Sequence, residues 1–180
     1  IFDDNPVIYL EHRWLHNLEG RVPDGDHRVP IGKAKCLKQG RDISIVSFSY
    51  MTIEALHAVE TLEKAGISCE LIDLRSIKPI DWEMIFRSVR KTGRLLALDT
   101  GTLTCGVAGE IIASVCAECF GSLKHAPARI ASPDIPTPTS YALTRNFYGG
   151  AEDIVKKVLE IFGKSAKPEV CGLKHPAHHD

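Results

Sequence analysis

GISCELIDLRSIKPIDWEMIFRSVRKTG, residues Gly66 to Gly93, holds a strand, a turn and a helix in one unbroken run. Ile67 to Leu74 is apolar and β-rich, with Cys69, Leu71 and Leu74 among short polar interruptions. That is the pattern of a strand covered on both faces. The strand gives way at Arg75, and Pro79 forbids a helix from starting upstream, because its ring fixes φ and crowds the residue before it. Asp81 is placed to accept a first-turn backbone N–H and so to cap the helix that follows. Trp82, Ile85, Phe86 and Val89 recur at helical spacing, which predicts that Trp82, Ile85 and Phe86 cover a central strand at Leu71 and Ile72. Lys91 and Gly93 end the helix: a cation suits the negative end of the dipole, and glycine tolerates left-handed geometry.

The same rhythm runs outward in both directions. Asp42 to Phe48 reads as a strand and Thr52 to Lys64 as a helix with Ile53, Leu56, Val59 and Leu62 on one face. Downstream, Arg94 to Leu98 reads as a strand, Val107 to Leu123 as a helix, Ala128 to Ala131 as a short strand and Ala151 to Phe162 as a closing helix. Upstream, Ile31 to Gly40 alternates apolar and basic residues as a half-exposed edge strand or hairpin would. Glu19 to Pro30 is charged and broken by Gly20, Pro23, Gly25 and Pro30, a linker. Near the start, Val7 to Leu10 reads as a short strand without neighbours of its own. Strands alternating with helices predict an α/β fold with right-handed crossovers. The expected arrangement is three-layer α/β/α, with a mostly parallel sheet of about five strands.

The chain of 180 residues is 44% hydrophobic, enough for one globular domain with appendages. A formal net charge of -1 gives no electrostatic reason to expect nucleic acid or an anionic membrane as partner. No apolar run approaches the roughly 20 residues that span a bilayer. Six cysteines without a small-domain disulfide spacing point to reduced thiols and a cytoplasmic setting, with the mitochondrial matrix as the alternative. The chain opens on Ile1, and we read it as a piece of something longer.

Ligands of parallel sheets gather beyond the carboxyl ends of the strands. Those ends are Ser47–Ser49, Arg75–Ser76, Asp99–Gly101 and Ser132–Asp134. Gly101, Gly106 and Gly109 lie between a strand and a helix start and form a candidate anion-binding loop. The bland alternative is tight packing of helix on sheet, since neither a dinucleotide fingerprint nor a P-loop lysine is present. Cys116 and Cys119 share a helix face without further ligands, so small buried apolar roles suit them better than a metal. His12, His16, His27, His57 and His125 are scattered, with no acid–base partner at a meaningful offset. The tail gathers Cys171, His175, His178 and His179 among Pro168, Gly172 and Pro176, and reads as a flexible extension.

Glu70, Ile72, Asp73, Leu74, Arg75, Ile77, Pro79, Asp81, Ser88, Val89, Lys91, Thr92, Gly93 and Arg94 fall in register with one family pattern. They make the chain resemble the C-terminal domain of transketolase-type thiamine enzymes, specifically the β subunit of the pyruvate or branched-chain 2-oxoacid dehydrogenases. Asn5, Pro6, Val7, Ile8 and Glu11 resemble the last strand of the preceding pyrimidine-binding domain, and Pro30 to Ala34 the entry to the final one. The resemblance divides the chain into a remnant (1–18), a linker (19–30), the C-terminal domain (31–163) and a tail (164–180). It implies oxidative decarboxylation of a 2-oxoacid by a parent enzyme using thiamine diphosphate and magnesium, neither expected on this chain. It places the catalytic residues elsewhere and gives this chain a role in β-subunit pairing, beside an α subunit and a lipoyl acyltransferase component. Asp134, Pro136 and Pro138, in DIPTP, resemble a family ledge near subunit contacts and are candidate interface residues. One departure stands out: the family carries a glutamate where this chain has Thr100. The alternatives are the last domain of a transketolase or deoxyxylulose-phosphate synthase, or a free-standing anion-binding module.

Overall fold

The computed structural model describes residues 3–144 and 147–165. Five strands form one sheet: β1 (Lys35–Lys38), β2 (Ile43–Ser47), β3 (Cys69–Asp73), β4 (Leu95–Thr102) and β5 (Ala128–Ser132). Their spatial order is β1-β3-β2-β4-β5. β1 runs antiparallel to β3, and every other pairing is parallel. Helices α1 (Tyr50–Lys64), α2 (Trp82–Thr92), α3 (Val107–Cys119), α4 (Tyr141–Thr144) and α5 (Ala151–Ile161) complete the fold, with 3-10 turns at Arg13–Asn17 and Phe120–Ser122.

Alternation along the strands divides the core into two layers. Ile45, Leu71, Leu96 and Leu98 pack under α1 and α5, while Val46, Ile72, Leu95 and Ala97 pack under α2 and α3. All eight are buried, which accounts for the continuous apolar runs in the sequence. The three-layer α/β/α arrangement is therefore present.

The quoted stretch folds as its residues dictate. Asp81 caps α2 by accepting the Met84 N–H at 3.3 Å, and its second oxygen accepts the Ala34 N–H at 3.1 Å. Gly93 closes the helix at φ 76°, where its N–H reaches the Val89 carbonyl. A hydroxyl cluster replaces apolar packing at one place: Ser44 of β2 lies 2.6 Å from Ser88 and 2.8 Å from Thr92 of α2. All three side chains belong to buried residues, and each finds its partner among the others.

Several expected boundaries and roles differ. Leu71 and Ile72 are buried, but β3 is not central; β2 is, and only Ile72 faces α2. Ile85 and Val89 are fully buried under α2, whereas Trp82 and Phe86 are half-buried and stack on each other with centroids 5.7 Å apart. α1 starts at Tyr50, and its buried face runs through Met51, Ala55, Ala58, Val59 and Leu62. Ile53 and Leu56 lie at its margin. β4 continues past Leu98 to Thr102, and α3 gives way to a 3-10 turn after Cys119. Only Lys35–Lys38 of the basic segment is a strand.

Val7 to Leu10 is not a strand: no sheet partner meets it, and Ile8 is 85% exposed. Trp14 and Leu15 pack against the α1–α5 core, while Leu18 stays exposed. The Tyr141–Thr144 helix has no counterpart in the sequence reading, being too short to show a period. Residues Cys171, His175, His178 and His179 lie outside the described residues.

Candidate functional site at the carboxyl edge of the sheet

β2 and β4 are neighbours, yet the helices that follow them, α1 and α3, lie on opposite faces. Such a switch point is where an open α/β sheet leaves a crevice for ligand. The residues that leave the strands here include the three non-glycine residues with positive φ among the described residues: Ser49 at 57°, Arg75 at 58° and Cys105 at 61°. Each follows a different strand, so the backbone strain of the described residues gathers at this edge.

Gly101, Gly106 and Gly109 lie in the β4–α3 loop and the first turn of α3. An anion already sits among them, supplied by the chain itself. Asp99 accepts the Gly101 N–H with one carboxylate oxygen and the Ala108 N–H with the other, both at 2.8 Å. The carboxylate thus meets the positive end of the α3 dipole while remaining buried. Gly106 is required by this closeness: a Cβ there would stand 2.7 Å from Asp99 Oδ2 and against the Thr102 carbonyl. The next amides are engaged too. Leu103 N–H donates to Ser132 O at 2.9 Å, and Thr104 N–H to Asp134 Oδ1 at 2.9 Å.

Asp134 is exposed and clips the end of β5 to the β4–α3 loop, since Thr104 Oγ1 also donates to its Oδ2 at 2.6 Å. These bonds hold its carboxyl below the ordinary range. Pro136 is exposed and Pro138 half-buried on the segment that follows. Asp134 is thus near the glycine loop, which sequence spacing alone did not bring together.

At β3, Asp73 is mostly withdrawn from water, and that burial pushes its carboxyl up despite the Arg75 N–H at 3.3 Å and the Arg75 guanidinium at 3.8 Å. Across α1, Glu54 is buried; its Oε2 accepts the Ala151 N–H at 2.9 Å and so caps α5, while Oε1 finds no hydrogen bond. Beside it, Tyr50 packs on His12 at 4.4 Å and Trp14 at 4.9 Å, and Trp14 reaches Tyr148 at 5.1 Å. Burial pushes the Tyr50 hydroxyl up and His12 down. One signal for Asp99 was legible in the sequence, an aspartate at a strand end before a glycine loop. None was legible for Glu54, whose partner lies 97 residues away.

Among the described residues no group of three His, Cys, Asp or Glu side chains could hold a metal ion. None of the described helices is long and apolar enough to cross a membrane. Cys119 is buried, and that raises its thiol, while Cys116 is half-buried on the same helix. The edge offers engaged amides and acidic clips, arranged to fasten loops to one another.

Residues 32–154 match the transketolase C-terminal domain. The chain belongs to that family. Over 160 residues it is 43% identical to the pyruvate dehydrogenase E1 component subunit beta of Pisum sativum, covering 87% of this chain and 45% of that protein. It is 39% identical over 154 residues to the acetoin:2,6-dichlorophenolindophenol oxidoreductase subunit beta of Cupriavidus necator, covering 86% of this chain and 46% of that one. The chain therefore spans about half the length of the curated relatives it matches. A solved structure described as an inactive β4 tetramer of a split-gene transketolase superposes with a TM-score of 0.67 at 29% identity, covering 82% of this chain and 48% of that one. The transketolase C-terminal domain thus places the switch-point edge in a family shared by oxidoreductase β subunits.

Proposed function

We propose that the chain is the C-terminal domain of the β subunit of a 2-oxoacid dehydrogenase acting on pyruvate or a branched-chain 2-oxoacid. Its task there is to pair β subunits and to help dock the α subunit and the lipoyl acyltransferase component. The parent enzyme's thiamine diphosphate and magnesium are held outside this chain. The observation that carries this assignment is Asp99: the helix N-terminus and glycine loop best suited to a diphosphate are filled by the chain's own carboxylate. These residues do not fit the cofactor. Relatives that are β subunits by name, at 39% and 43% identity, support the dehydrogenase over the transketolase reading, whose solved relative is 29% identical. DIPTP at Asp134, Pro136 and Pro138 is the expected edge of a subunit contact.

Calorimetric titration of the chain with thiamine diphosphate and magnesium tests the assignment. No saturable heat is expected. Binding tighter than about 1 mM, roughly 4 kcal/mol, would overturn it.

A further inference from the structure

Residues 3–31 make a long approach to the sheet, and all of them are exposed except His12, Trp14 and Leu15. Those three lie in or beside the 3-10 turn Arg13–Asn17, so the approach is fastened to the body at one place. Trp14 and Leu15 reach the α1–α5 core there. His12 holds the turn. Its Nδ1 accepts the Trp14 N–H at 3.3 Å, and its ring lies on Tyr50 with centroids 4.4 Å apart. A backbone amide can only donate, so this contact requires a neutral imidazole with its proton on Nε2. An imidazolium carries a proton on both nitrogens and has no acceptor left to offer. The capped turn and the charged ring therefore exclude each other.

We propose that His12 is a proton-operated catch: its neutral ring fastens residues 3–31 to α1, and its protonation releases them while the sheet-and-helix unit stays folded. The charged and titratable groups around the ring do not stand in for the lost cap. On α1, Glu54 lies beside Tyr50 and is committed to the Ala151 amide. The segment before α5 contributes Tyr148, against Trp14, and the first turn of α5 carries Glu152 and Asp153, the latter on the Gly150 amide. Within the approach, His16 pairs with Glu11 at 3.1 Å, and Arg13 is exposed. Burial pushes His12 down, and no neighbouring charge offsets it. A group whose attached pKa lies below its free value loses attachment as pH falls. The loss begins near the free imidazole's value, about 6.5, and levels off below the attached one. The catch itself does not rest on the β-subunit reading. Under that reading residues 1–18 belong to the preceding domain, and the catch sets how firmly that domain is held to this one.

Trp14 reports the catch once Trp82→Phe has left it the chain's sole tryptophan. Its quenching by acrylamide, a neutral probe, is expected to rise several-fold between about pH 7.5 and about pH 5, with circular dichroism unchanged. His12→Asn is expected to abolish that pH dependence, since an amide oxygen caps the turn at either pH. His16→Asn is expected to leave it intact. Should Trp82→Phe fold poorly, the indole N–H resonance of Trp14 reads the same transition by nuclear magnetic resonance in the unaltered chain. Trp14 quenching that stays flat with pH overturns the catch. A pH dependence that survives His12→Asn, or vanishes with His16→Asn, overturns His12 as its trigger. Circular dichroism lost in step with the quenching overturns release without unfolding. The cofactor titration above tests the β-subunit reading separately, and its failure leaves the catch standing.

Discussion

Asp99 satisfies at the α3 terminus the donors that elsewhere invite a phosphate. Removing its carboxylate leaves the Gly101 and Ala108 amides without their acceptor, the latter in a buried place. Asp99→Ala is therefore expected to cost about 1–3 kcal/mol in urea unfolding. A loss within about 0.5 kcal/mol, the range of an ordinary surface change, would show that the loop is held by other means. Glu70 gives a pH-dependent counterpart. Burial works to raise its carboxyl, but hydrogen bonds from Lys91, Ser88 and the Gly40 amide together hold it below the ordinary value. A lowered folded pKa contributes stability above the unfolded value, about 4.3, and loses it as pH falls through the folded one. Glu70→Gln is expected to flatten that acid limb of the stability profile; an unchanged acid limb would remove Glu70 as its source.

Helix α2 shows how far a hydrophobic pattern reaches. Trp82, Ile85, Phe86 and Val89 share the expected spacing, yet only Ile85 and Val89 are fully enclosed. Ile85→Ala is expected to cost about 2–5 kcal/mol, and Phe86→Ala less, because the Phe86 ring is half-exposed and stacks on Trp82. Equal losses, or a larger one at Phe86, would place the buried stripe on the wrong side. The order of strands and helices was legible because long apolar runs, Asp81 and Gly93 act locally. Which hydrophobic residue is enclosed depends on the neighbour across the sheet, and a period of 3.6 residues does not name that neighbour. The Ser44–Ser88–Thr92 cluster escaped for the same reason, since its members are up to 48 residues apart. At the candidate site, the glycines were visible and their occupant was not: the carboxylate that fills the loop belongs to the strand before it.

For the whole molecule, the described residues fall into a tightly packed sheet-and-helix unit and a long exposed approach. Every residue from 16 to 31 is exposed. Among the described residues trypsin is expected to cut first at Arg21 or Arg28 and to leave the unit of residues 31–161 intact, as read by mass spectrometry. First cuts between β2 and α5 would contradict that division. The unit itself is closed late. Glu54, near the start of α1, caps Ala151 at the start of α5, and the core layer beneath Ile45, Leu71, Leu96 and Leu98 is shared by those two helices. On a ribosome that supplies residues from the amino end, the part of that layer under α5 therefore stays wet until α5 has emerged, although α1 is already in place. Up to that moment the nascent chain holds a nearly finished sheet with one face half covered by α1 alone, a natural client for a holding chaperone; arrival of α5 is what closes that layer.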